Sequence, residues 1–182
     1  MEPKFNPQSI KLIIGLGNPG KEYTETYHNA GALCIQTITE KTKQPVEFKK
    51  IPRKPGVWAR IGNIYIAKPE VFMNESGKSV RDISKFLAIK PGEMVIAHDD
   101  NDIPIGSYKI DFNRGAAGHK GVASVIESMK TKEFWRIRIG IEKKIGTKRK
   151  RAEEFVLSRL SPKDKKLIQE ACEKVAKELL VL

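Results

Sequence analysis

Apolar positions along the chain change period several times, and each change marks an element. Residues 12–14 form an unbroken apolar run, as a short buried strand does. Residues 30–40 place Leu33, Cys34, Thr37 and Ile38 on one helical face. Two apolar runs, 57–61 and 64–67, flank Gly62-Asn63, which predicts a hairpin. A helix is expected from Asn74 or Ser76 to about Ile89, with Val80, Ile83, Phe86 and Leu87 on one face and Pro91-Gly92 as its stop. Residues 94–97 read as a short buried strand running into His98, Asp99, Asp100, Asn101 and Asp102. Residues 107–112 predict a strand, 113–121 a glycine-rich loop and 122–129 a helix. In 134–141, Ile137, Ile139 and Ile141 alternate with arginines, as in a strand. The last helix opens at Ser161-Pro162, with Asp164 completing a capping-box-like start. Leu167, Ile168, Ala171, Cys172, Val175, Leu179 and Leu180 form its apolar stripe. Residues 1–10 read as a loose polar lead, and 44–55, 68–74 and 143–151 as loops. Strands alternate with helices throughout. The pattern predicts an α/β fold: a single domain over residues 1–182, with a mixed twisted β-sheet flanked by helices on both faces.

The first strand breaks into Gly15-Leu16-Gly17-Asn18-Pro19-Gly20. Glycines there allow a sharp turn or close approach of backbone to a ligand. Pro19 stiffens the turn and removes a donor. The segment also matches the dinucleotide fingerprint G-x-G-x-x-G, with Glu40 near the spacing of a ribose-binding acid. A turn without a ligand is the plainer alternative. Neither accounts for the polar group Tyr27, His28 and Asn29 that follows.

Charge narrows the partners. Lys and Arg number 34 against 22 Asp and Glu, a net charge of +12, which favours a polyanion. Cys34 and Cys172 stand alone in apolar stretches, with neither metal spacing nor a disulfide framework, and are expected as buried thiols. No apolar run approaches a membrane span and residues 1–9 hold no apolar leader core, so a cytoplasmic protein is expected. The acidic run from Asp99 lacks the glycine and final glutamate of a calcium loop. Gly77-Lys78-Ser79 is not a phosphate loop, because Phe72 stands where that loop needs glycine.

Four ordered segments carry a resemblance. The first is GLGNPG followed by Tyr23 and by Thr26-Tyr27-His28-Asn29-Ala30-Gly31. The others are Phe72-Met73-Asn74-Glu75-Ser76-Gly77, the run His98-Asp99 to Gly106, and Arg136-Ile137-Arg138-Ile139-Gly140-Ile141. Together they resemble bacterial-type peptidyl-tRNA hydrolases. That resemblance implies a mixed-sheet α/β fold and hydrolysis of the ester between a peptide and the terminal ribose of a tRNA. It implies recycling of tRNA from prematurely released peptidyl-tRNA, without cofactor or metal. The expected partner is peptidyl-tRNA, held at its acceptor end and phosphate backbone, and the enzyme is expected to be a monomer.

Ester hydrolysis needs a base for water and donors for the oxyanion. His28 suits the base, since a neutral imidazole accepts a proton near pH 7. The resemblance implies Asp99 as the carboxylate that orients His28, and Asn18 as a further active-site group. It places Tyr23, Phe72, Asn74 and Lys120 against the substrate. Lys109, Arg114 and Arg138 are expected to meet tRNA phosphates, with the glycine-rich loop 115–121 and the basic loop 143–151 nearby. Three positions depart from the pattern: Lys120 replaces a usual Asn, Asp111 a usual basic residue, and Tyr27 a common Arg. A non-catalytic RNA-binding relative is the rival reading. Retention of Asn18, His28, Asn74 and Asp99 together favours the enzyme.

Overall fold

The computed structural model describes residues 3–42, 44–145, 148–149 and 151–180. Its centre is strand β1 (Leu12–Gly15), fully buried on both sides. Alternation along it sends Ile13 to one apolar core and Leu12 and Ile14 to another. Helix α1 (Ala30–Glu40) follows, then β2 (Lys49–Lys50), β3 (Gly56–Ile61) and β4 (Ile64–Pro69). Helix α2 (Ser76–Phe86), β5 (Met94–Pro104), β6 (Tyr108–Phe112), α3 (Lys120–Met129), β7 (Trp135–Glu142) and α4 (Pro162–Leu180) complete the main layers. A small ribbon pairs β8 (Lys144–Ile145) with β9 (Lys148–Arg149).

Seven strands form one mixed sheet in the order β2-β3-β4-β1-β5-β7-β6. The central four run parallel, and β2, β3 and β6 add antiparallel edges. Parallel strands need both faces covered. Here α1 and α4 cover one core, built around Ile35, Ile38, Ile168 and Val175. The other core joins Val80 and Ile83 of α2 to Val122 and Val125 of α3. This is the α/β mixed sheet with helices on both faces that the periodicity predicts.

Several boundaries differ from the sequence reading, each for a local reason. The strand expected to end at Ala97 continues to Pro104, because its pairing with β7 carries on through Asp100 before the register shifts. Hence His98 and Asp99 lie within a strand and not in a loop. The lead is not loose: Asn6 caps a short turn over Pro7–Ser9, Ile10 is buried, and the Phe5 ring meets Trp135 edge-on at 4.9 Å. Helix α2 stops at Phe86, and Ala88 just beyond it takes a positive φ of 55°. The region expected as loop 44–55 contains the two residues of β2, and the loop expected to begin at Lys68 begins after β4. The Ser161 hydroxyl accepts from the Asp164 N–H at 3.1 Å, but the Asp164 carboxylate turns inward to Tyr27 instead of closing a capping box. Of the basic loop 143–151, residues 146, 147 and 150 lie outside the described residues, as do Met1 and Glu2 of the lead.

The glycines of the first motif serve packing. A Cβ on Gly15 would strike the Gly31 carbonyl, and one on Gly31 would strike the carbonyl oxygens of Ala97 and Leu16. The start of α1 therefore rests directly on the backbones of β1 and β5. That contact sets the height at which the residues just before α1 stand above the sheet. Gly31→Ala is expected to cost more than about 3 kcal/mol in urea unfolding, since backbone has nowhere to move. A cost below about 1 kcal/mol would show that α1 can slide.

Candidate active site

The site lies where β1, β5 and α3 converge with the turn preceding α1. After β1 the chain turns through residues 16–20, and Asn29 pins that turn from the side. Its Oδ1 accepts the Asn18 N–H at 2.8 Å, and its Nδ2 donates to the Asn18 carbonyl at 3.0 Å. The Asn18 side-chain oxygen in turn accepts the Met73 N–H at 2.8 Å. Asn18 thus has its acceptor occupied, and its side-chain amide donors are left at the cavity it lines.

Asp99 is only 3% exposed and sits between two imidazoles. His28 Nδ1 lies 3.0 and 3.1 Å from its two oxygens, and His119 Nε2 lies 2.9 Å from Oδ1. Burial opposes ionisation of Asp99. The charge and hydrogen bond of His119, joined by those of His28, outweigh it and hold the carboxyl far below the usual range. A carboxylate accepts only, so both facing nitrogens must carry hydrogen. His119 also caps α3, its Nδ1 accepting the Val122 N–H at 3.2 Å. His119 therefore turns its Nε2–H to Asp99, and His28 turns its Nδ1–H, which leaves His28 Nε2 out of the contact with Asp99.

His98 completes the group. Its ring is buried, Nδ1 bonds the Asp99 carbonyl at 2.7 Å, and Nε2 has no partner among the described residues. The His119 ring stands 4.8 Å from both His28 and His98. All three histidines of the chain meet here. The sequence reading names the glycine-rich loop 115–121 but gives His119 within it no role. The signal available was its place at the start of a helix after a glycine-rich loop.

A cavity of about 630 Å³ opens over His28 and Asp99. Asn18, Phe72, Asn74 and Lys120, all singled out on the sequence, line it, and so do Val156 and Leu157, which the sequence reading does not name. Phe72 and Leu157 are 52% and 59% exposed, so the cavity carries an apolar rim. Tyr23 stands behind that rim, its ring edge-on to Phe72 at 6.2 Å, and is outside the lining. Lys120, the first residue of α3, is exposed at the margin.

The expected phosphate contacts are not gathered in the cavity. Lys109 is exposed on the edge strand β6. Arg114 is 4.0 Å from Asp111 and mostly exposed. Arg138 corrects the expectation: it is buried, with Nε on Asp100 at 2.8 Å and Nη1 on Asp111 at 2.7 Å. These bonds tie β5, β6 and β7 together and leave its charge already neutralised. Asp111, one of the departures, is what closes that bridge.

A family model described as peptidyl-tRNA hydrolase matches residues 12–182. The chain belongs to the peptidyl-tRNA hydrolase family. Its expected class, an enzyme that hydrolyses peptidyl-tRNA, stands with that membership. A peptidyl-tRNA hydrolase of Coxiella burnetii is 39% identical over 165 residues, covering 91% of this chain and 86% of the relative. One from Aquifex aeolicus is 35% identical, covering 94% and 88%. The crystal structure of peptidyl-tRNA hydrolase from Acinetobacter baumannii superposes with a TM-score of 0.83 at 31% identity, over 96% of this chain and 88% of that one. Among the described residues no helix is long and apolar enough to cross a membrane.

Acid stability follows from the buried pair. Burial first, then the charges of His119 and Arg136, hold the His98 pKa well below its ordinary value. Unfolding lets His98 take a proton, so its contribution is full above about pH 6.5 and is lost as pH falls, by at most about 1.4 kcal/mol per pH unit. Asp99, also depressed, adds a second loss below its ordinary carboxylate range. Urea midpoints are expected to fall from pH 7.5 to pH 5, and less steeply in His98→Asn. An equal fall in both proteins would contradict a neutral buried His98.

Proposed function

We propose that this enzyme cleaves the ester between peptide and terminal ribose of peptidyl-tRNA with water activated by His28, and thereby recycles tRNA from prematurely released peptidyl-tRNA. The observation that carries the reading is the opposed facing of two imidazoles around Asp99, His28 by Nδ1 and His119 by Nε2. His28 Nε2 is left as a base beside the cavity, while Asp99 stabilises the imidazolium that forms when water loses its proton. The free amide of Asn18 supplies a donor for the oxyanion. His28 then returns the proton to the leaving ribose oxygen.

The reading uses no metal. His28, Asp99 and His119 place one ligand atom each within 4.8 Å of one another, a spacing that a cation could use. Yet His119 Nδ1 already accepts a backbone N–H, so its Nε2 carries hydrogen and presents no lone pair. Donation to Asp99 suits that tautomer and metal ligation does not.

Phe72, Asn74 and Lys120, with Tyr23 supporting Phe72, are assigned to the peptide and acceptor end. The +12 charge supports a polyanionic partner, and Lys109 and Arg114 are assigned to phosphates, with Arg138 left to the scaffold. The enzyme is assigned to the cytoplasm as a monomer.

Release of labelled peptide from peptidyl-tRNA tests the reaction, with aminoacyl-tRNA as the control. His28→Ala should lose about 10²- to 10⁴-fold in kcat, the weight of a general base, while tRNA affinity stays. Near-normal turnover in that variant would remove His28 from the chemistry. Asp99→Asn should also lose most of the rate, because a neutral amide cannot stabilise an imidazolium. A rate matching wild type would reduce Asp99 to a strand residue.

A further inference from the structure

Tyr27, immediately before His28, is one of the three departures from the family pattern. Its side chain is almost wholly buried and points away from the cavity, into a junction of three segments. Its hydroxyl donates to Asp164 Oδ2 at 2.5 Å. Lys143, just past β7, donates to the Tyr27 oxygen at 2.5 Å and to Asp164 Oδ2 at 2.9 Å. The ammonium also lies 4.6 Å from the Tyr27 ring centre. Asp164 is fixed near the start of α4 by Ser161. A closed ring of three side chains thus joins the His28 turn, the end of β7 and the start of α4. Burial and Asp164 keep the phenol protonated, raising its pKa against the opposing pull of Lys143.

Residues 151–160, ahead of α4, form a strap that passes beside His28 and builds one cavity wall. Ala152, Val156 and Leu157 line the cavity. The His28 N–H bonds the Val156 carbonyl at 2.8 Å, and the Leu160 N–H bonds the Glu25 carbonyl at 2.8 Å. The Tyr27 ring meets Phe155 edge-on at 5.1 Å. Glu25 adds ion pairs to Arg159 and Lys165 at 3.0 and 2.6 Å. These last pairs are more exposed and hold the far end of the segment. Tyr27 is buried and touches Lys143 just past β7, Phe155 in the middle of the segment that follows and Asp164 in the first turn of α4.

We infer that Tyr27 is a positioning residue: through Asp164 and Lys143 it holds residues 152–157 against His28, so that the apolar wall for the peptide is formed before substrate arrives. The chemistry at His28 does not pass through Tyr27. Its loss is therefore felt in substrate binding rather than in turnover. This inference rests on the proposed reaction for its meaning, and its test has a part that needs no substrate.

Tyr27→Phe keeps the ring and removes the hydroxyl. Hydrogen exchange of residues 152–158 in the free enzyme is expected to speed up, with α2 unchanged. On peptidyl-tRNA, KM is expected to rise about fivefold, the weight of one hydrogen bond, with kcat within about twofold of wild type. Tyr27→Phe combined with Asp164→Asn should be no worse than Asp164→Asn alone, because both break the same ring. A Tyr27→Phe enzyme with a lowered Tm but wild-type exchange in 152–158, or with wild-type KM, would overturn the inference and leave the hydroxyl a purely structural group. Absence of hydrolysis in the wild-type enzyme would instead overturn the proposed reaction, and the exchange result would still decide whether Tyr27 holds the strap.

Discussion

One buried carboxylate organises this molecule's chemistry. Asp99 is almost wholly buried and survives as an anion because two imidazoles donate to it from different elements. The demand runs in both directions. Each imidazole must turn a hydrogen toward Asp99, and that fixes which nitrogen of each ring is left over. For His119 the leftover nitrogen is consumed by the α3 backbone. For His28 it is not used by Asp99, and the cavity opens beside it. The asymmetry between two chemically identical side chains comes from one helix cap.

The fold delivers these groups by close contact of backbone with backbone. Gly31 lets α1 rest on β1 and β5, which fixes the His28 turn above the strand carrying Asp99. The long pairing of β5 with β7 carries Asp99 and Asp100 onward within the sheet. Arg138 then clamps Asp100 to Asp111 across three strands. The strand geometry around Asp99 is thus held from both sides, by apolar packing below and by buried ion pairs beside it. Removing one member of such a pair leaves a charge without a partner, which is more costly than never having buried it.

Much of this was legible in the residues. Apolar period placed the four main helices and the longer strands, because burial on two faces leaves a strong imprint in Leu12 to Ile14 and in the stripe of α4, whereas the two-residue strands β2, β8 and β9 fall in stretches read as loops and carry no such imprint. The four ordered motifs pointed to His28 and Asp99, which the structure places in contact. What escaped was long-range. The extent of β5 depends on its partner β7, which no local window contains. The capture of Arg138 by Asp100 and Asp111 requires the register of three strands. The part played by His119 requires knowing that the start of α3 lies over Asp99. Tyr27 and Asp164 are 137 positions apart, and in sequence one reads as a substitution and the other as a cap.

The central claim is that Asp99 holds its two histidines in opposite tautomers. Imidazole ¹⁵N NMR of the free enzyme near neutral pH reads this directly, by correlating each ring nitrogen with its carbon-bound protons. The account predicts hydrogen on Nδ1 and a bare Nε2 for His28, and hydrogen on Nε2 with a bare Nδ1 for His119. A His28 that carries its hydrogen on Nε2, or two rings in the same tautomer, would contradict it.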